Sequence, residues 1–161
     1  KTFEKWWLVK LGMTTNDFQN YIMKTGNGVE HKIIKSLGIP VEYDKQLIIG
    51  RLRINLDANS NDTIYECKTY KNENGFKVPL KYKRQVWVQM YGANMRKAFI
   101  VAYGLKKEDY KNWFLPVDKE RLNLYPIEYN EQFIREEYIP RLKYLEECLI
   151  AGRWPKESEV A

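Results

Sequence analysis

The sequence predicts an α/β (α+β) fold in which helices pack on a β-sheet, and three observations carry that prediction. Apolar residues recur at helical spacing toward both ends, at Val29, Ile33 and Leu37 and again at Tyr138, Leu142, Leu145 and Leu149. Between them the period falls to two: from Ile48 to Asp57 the even positions are apolar or small, and the odd positions from Arg51 onward are polar. A short apolar run, AFIVAY at 98–103, has the character of a central strand. The expected order α-α-β-β-α-β-α fits a sheet with helices packed on it, and neither a bundle nor a sandwich.

Element by element, residues 3–11 (FEKWWLVKL) predict a short helix stopped by Gly12, and Thr15-Asn16-Asp17 supplies the next N-cap. A helix over 17–37 comes next, with an expected interruption at Gly26-Asn27-Gly28 and an end at Gly38-Ile39-Pro40. The strand at 48–57 leads through the turn cluster Ala58-Asn59-Ser60-Asn61-Asp62 into its hairpin partner at 63–70 (TIYECKTY). Residues 71–79 form a polar loop, 80–94 a helix, 98–103 a strand and 130–151 a helix that Pro140 must kink or restart before Gly152 closes it.

Composition narrows the function classes. The 161 residues are 44% hydrophobic and 14% aromatic, enough to fill the core of one domain over 1–161, so intrinsic disorder is not expected. Two cysteines, Cys67 and Cys148, exclude a disulfide scaffold, a cysteine-rich zinc site and a four-cysteine iron–sulfur cluster. No apolar run approaches the roughly 18 residues of a membrane span, and no signal peptide is visible. The chain starts at Lys1 and not at a Met, so the expectation is an intracellular, soluble domain lacking an N-terminal segment. Twenty-seven Lys and Arg against 21 Asp and Glu give a net charge of +6, which suits a polyanionic partner.

Charged groups that can do chemistry converge on the hairpin. Asp57 ends its first strand on the polar face. Glu66 and Lys68, two apart in the second strand, project from one face, whereas Cys67 between them turns to the core. A turn of about five residues returns the strands to each other, so Asp57 and Glu66 can share a cation. Carboxylate oxygens suit Mg²⁺, and Lys68 beside it could orient or deprotonate a water. By itself Asp-x8-Glu-x-Lys has low specificity, since a strand face bearing these residues is usually solvated.

The setting is more specific. LRINLDANSND, then IYECKTYK, then KYKRQVWVQMY resembles the PD-(D/E)XK nuclease superfamily, in particular its YqaJ-like viral recombinase and phage lambda exonuclease branch. The resemblance implies a restriction-endonuclease-like core, a mixed central sheet flanked by helices. It assigns Asp57 and the Glu66-x-Lys68 pair to the metal and catalytic positions. Tyr82-Lys83-Arg84-Gln85 matches the family's Tyr-x-x-Gln helix, with Gln85 holding the water or Lys68. Gly26-Asn27-Gly28-Val29-Glu30 matches its Gly-Asn-x-x-Glu helix, which makes Glu30 a further metal ligand. The backbone carbonyl of Cys67 is an additional ligand by the same implication. The C-terminal run from Asn130 to Pro155 resembles the family's closing helix. Asp57-Ala58 stands where the family commonly has Asp-Gly, a change to the turn.

The resemblance further implies a Mg²⁺-dependent deoxyribonuclease, with Mn²⁺ able to substitute, acting as a phage-type recombination exonuclease in the cytoplasm of a bacterial host. DNA is the expected partner, a single-strand annealing protein and self-association are further ones, and no membrane is involved. Arg51 and Arg53 on the Asp57 face, with Lys81, Lys83 and Arg84 at the start of the next helix, are the expected phosphate track. Gln89 lies one helical turn beyond Gln85 on the same side. His31 reads as an exposed helix residue, Cys148 as core, and Trp6, Trp7, Trp87 and Trp113 as packing residues before base-stacking ones. An endonuclease on the same fold and a non-catalytic nucleic-acid-binding or regulatory protein stay open as alternatives.

Overall fold

Gly50 divides what the alternation predicts as one strand. The computed structural model describes residues 2–13, 21–112 and 114–156. It has β1 (Glu42–Ile49) and β2 (Leu52–Asn59) joined by the two-residue turn Gly50-Arg51. Gly50 sits at φ 58, a left-handed conformation that costs glycine nothing sterically, so the chain reverses there. The single strand expected over 48–57 is thus corrected to two, paired antiparallel from Ile49↔Leu52 to Glu42↔Asn59. Arg51 belongs to the turn and does not share a strand face with Asp57.

β3 (Thr63–Lys71), the helix α3 (Leu80–Ala93) and β4 (Lys97–Leu105) match the predicted pattern closely. β4 lies parallel to β3, which requires a crossover connection, and α3 supplies it. Asn94 at φ 53 caps α3 in the left-handed region that Asn tolerates. A further strand absent from the prediction, β5 (Leu122–Pro126), pairs antiparallel with β4. The result is a mixed five-stranded sheet in the order β1-β2-β3-β4-β5.

The helix α2 (Tyr21–Lys35) runs without a break through residues 26–28, contrary to the expected interruption. Its fully buried Ile33 and Ile34, with Val29, anchor it, and packing outweighs the low helix propensity of two glycines. It ends as predicted, with Gly38 at φ 70. Val29, Ile33 and Ile34 form one core with Ala58, Tyr65, Cys67, Val101 and Tyr103. Alternate residues of a strand face opposite sides, so Glu66 and Lys68 are turned to the other face, where α3 lies. The N-cap expected at Thr15-Asn16-Asp17 and the side chain of Trp113 lie outside the described residues.

The chain forms two compact units, Asn20–Asn130 being the sheet unit just described. The other comprises Lys1–Gln19 and Glu131–Ala161. In it α1 (Thr2–Lys10) ends before Gly12 at φ 72, and Phe3, Trp6 and Trp7 hold their rings about one another at centroid distances of 5.6–6.0 Å. The helix predicted over 130–151 is α4 (Glu131–Phe133), a π-helical stretch (Ile134–Tyr138) and α5 (Ile139–Ile150). Pro140 explains the wide turn: its missing N–H interrupts the α ladder, and the Ile139 N–H bonds back to the Ile134 carbonyl. Cys148 is fully buried, as expected. Trp7 and Trp87 are buried, as packing residues should be, whereas Trp6 is 43% exposed. Among the described residues no helix is long and apolar enough to cross a membrane.

Candidate active site

β2 and β3 pair through Ala58↔Tyr65 and Asn59↔Ile64, and at the next step a side chain takes over from the ladder. The Cys67 N–H donates to Asp57 Oδ2 at 2.8 Å. Asp57 therefore closes the parting of the two strands and is held there by a backbone donor. In an extended strand the N–H and C=O of one residue face the same edge, so the Cys67 carbonyl also faces β2. The Cys67 thiol is buried in the core, and burial, with Glu30 and Asp57 adding to it, pushes its pKa well up. It is thus unsuited to act as a thiolate.

Glu66 is the centre of the arrangement. It is 1% exposed, and both its oxygens are engaged. Oε1 accepts from Lys68 Nζ at 2.5 Å and from Gln85 Nε2 at 2.6 Å. Oε2 accepts from Gln89 Nε2 at 2.6 Å, and the same Gln89 nitrogen donates to the Asn55 carbonyl of β2 at 3.0 Å. The Lys68 ammonium also lies 5.0 Å from the centre of the Tyr82 ring, with Lys81 at 5.1 Å from it, so the tyrosine of the Tyr-x-x-Gln segment helps to hold the lysine. The spacing read from the sequence thus delivers Asp57, Glu66, Lys68 and Gln85 to one place. The direct grip of Gln89 on Glu66 shows in the sequence only as a shared helix face.

Charge explains the tension in the site. Burial, then Glu66 and Glu30, push the Asp57 carboxyl from 3.8 up to about 8. Glu30, half-buried on α2, is raised as well, by burial and then by Glu66, with Asp44 adding to it. The three acids therefore share one electrostatic neighbourhood. Burial works to lower the Lys68 pKa, but the Glu66 carboxylate more than offsets it, and the net shift is upward. Lys68 is a cation at neutral pH.

Carboxylates crowded together repel one another, which a hard divalent cation relieves, and an all-oxygen donor set suits Mg²⁺. The donor chemistry of Glu30, Asp57, Glu66 and the Cys67 carbonyl fits such an ion. As the side chains stand, no group of three His, Cys, Asp or Glu among the described residues is arranged to hold one.

The other expected residues are more dispersed. Arg53 is exposed on β2, paired opposite Ile48, with its Nε 3.5 Å from Asn55 Oδ1, and Arg51 is exposed in the turn. Lys81 and Lys83 are exposed on the first turn of α3, and Arg84 is half-buried. His31 is exposed, as expected, and its Nε2 lies 2.8 Å from Asp44 Oδ2. Sequence reasoning missed Asp44. It takes φ 53, an uncommon conformation for a residue with a side chain, at the position where the β1–β2 register meets Asp57. Asp is among the few residue types that enter this region, the one local signal that could have found it.

No protein-family model and no curated protein matches the sequence. Solved structures do. A phage-related exonuclease from Haemophilus somnus 129PT aligns with 86% of this chain and 72% of its own, at 15% identity and a TM-score of 0.58. The alkaline exonuclease LHK-Exo from Laribacter hongkongensis gives 19% identity and a TM-score of 0.61, over 86% of this chain and 72% of that one. Its complex with dAMP gives 20% and 0.64, over 86% and 73%. The chain shares its fold with these exonucleases. At these identities the likeness is one of fold, and it bears out the fold implied by the motifs at Glu30, Asp57, Glu66–Lys68 and Tyr82–Gln85.

Proposed function

We propose that the protein is a Mg²⁺-dependent deoxyribonuclease, a phage-type recombination exonuclease that hydrolyses DNA phosphodiester bonds, with Mn²⁺ able to replace Mg²⁺. The observation that carries this reading is Glu66, gripped by Lys68 and Gln85 beside Asp57, on a fold shared with an alkaline exonuclease. Glu30, Asp57, Glu66 and the Cys67 carbonyl would hold the cation. When bound there, it supplies Lewis-acid polarisation of the scissile phosphate and lowers the pKa of a water. Lys68, kept protonated by Glu66, serves as a cation that orients the attacking water and offsets negative charge in the transition state; its raised pKa makes it a poor base. The Gln85 amide assists by holding Lys68 and Glu66 in register. Arg53, Lys81, Lys83 and Arg84 bind phosphates.

DNA is the substrate in this reading, and the dAMP complex of LHK-Exo supports a site that takes nucleotides. A single-strand annealing partner, self-association and action in the cytoplasm of a bacterial host, on behalf of a phage or prophage, belong to the same proposal. The test is end-labelled linear DNA and covalently closed circular DNA, each with Mg²⁺ and with EDTA. Linear DNA should be degraded in Mg²⁺ alone and circular DNA spared. Cutting of the circle would transfer the reading to an endonuclease, and binding without cleavage to a regulatory protein.

A further inference from the structure

Gln89 sits where the backbone ladder between β2 and β3 gives way. It is 2% exposed, and its one amide nitrogen touches both strands: Glu66 Oε2 of β3 at 2.6 Å and the Asn55 carbonyl of β2, two residues from Asp57, at 3.0 Å. Both partners are acceptors there, so the amide can sit only one way round; the reverse would set its oxygen against two oxygens. Its Oε1 is buried with no donor reaching it. An apolar side chain of the same length would fill the space without burying an unpaired carbonyl, so packing alone does not account for an amide at this position.

We infer that Gln89 is a positioning residue for the acidic site: it ties Glu66 Oε2 to β2 from the interior and fixes the separation of Glu66 from the Asp57 strand. The two carboxylate oxygens are then inequivalent. Oε2 is anchored by a buried amide, and Oε1 is shared by Lys68 and by Gln85, which is itself exposed. The spacing of four between Gln85 and Gln89 lets one helix face hold both oxygens. This inference rests on the nuclease reading, and it adds a residue that acts on the DNA only through Glu66.

Gln89→Met, similar in length and without the amide, is the test, with Gln89→Asn, which keeps the amide but falls one methylene short, beside it. Calorimetric titration with Mn²⁺ should show affinity reduced about 10- to 100-fold, the usual effect of removing a group that orients a metal ligand. On linear duplex DNA kcat should fall while KM for DNA stays within about twofold, because Gln89 does not touch substrate. Both variants should stay folded in EDTA, Gln89→Met with a lower melting midpoint than wild type, because Glu66 Oε2 and the Asn55 carbonyl lose their donor. Mn²⁺ affinity and kcat within about twofold of wild type in the folded variants would overturn the inference, as would a rise in KM at constant kcat. Loss of the folded protein in both variants would also overturn it, by showing a structural requirement. Wild type that neither binds Mn²⁺ nor cleaves DNA would instead overturn the nuclease reading on which the inference rests.

Discussion

Asp57 bears the most perturbed acid in the site, and its pKa makes a prediction with a definite sign. Its folded value of about 8 lies above the ordinary 3.8, so the folded state binds this proton more tightly than the unfolded chain does. The stability it contributes is complete below about pH 4 and is lost as pH rises through about 8. In EDTA, wild type should therefore lose stability between pH 5 and pH 8. Asp57→Asn, nearly isosteric and still able to accept from the Cys67 N–H, should lose distinctly less. Urea midpoints of both proteins at the two pH values check this, and equal pH slopes would show that Asp57 is not held under charge tension. The same substitution should cut nuclease activity by about 100-fold or more, since a metal ligand supplies several kcal/mol of transition-state stabilisation.

At the scale of elements, what could be read in the sequence was what local pattern determines. β3 and α3 come from alternation and helical spacing, and with them come the positions of Glu66, Lys68 and Gln85. β1 and β5 were not legible, because both are edge strands: β1 has the polar run Glu42–Gln46 and β5 ends in Pro126, so neither shows the apolar alternation of a buried strand. The turn at Gly50 hid inside an otherwise regular alternation, and it took Arg51 away from the Asp57 face. The unbroken α2 depends on tertiary packing that no local rule weighs, as do the bridge made by Gln89 and the left-handed Asp44. That dependence on packing is itself testable. Ile33 is fully buried between α2 and the sheet, so Ile33→Ala should cost about 2–5 kcal/mol in urea unfolding. A cost below about 1 kcal/mol would mean that α2 does not depend on this anchor.

For the molecule as a whole, the proposed function predicts that the net charge of +6 and the exposed Arg53, Lys81 and Lys83 make any binding to DNA weaken as salt rises. Affinity of the Asp57→Asn protein for duplex DNA should fall by roughly 0.9 log unit per log unit of salt for each phosphate contact. Arg53→Gln should reduce that slope by about 1 if Arg53 meets a phosphate; an unchanged slope would remove it from the track. The cation site is tested most directly by calorimetric titration of Mn²⁺ into wild type, Glu66→Ala and Lys68→Ala. Wild type should bind, Lys68→Ala should bind with affinity close to that of wild type, and Glu66→Ala should lose most of the binding. Equal Mn²⁺ affinity in wild type and Glu66→Ala would contradict the assignment of Glu66, and with it the metal-dependent nuclease.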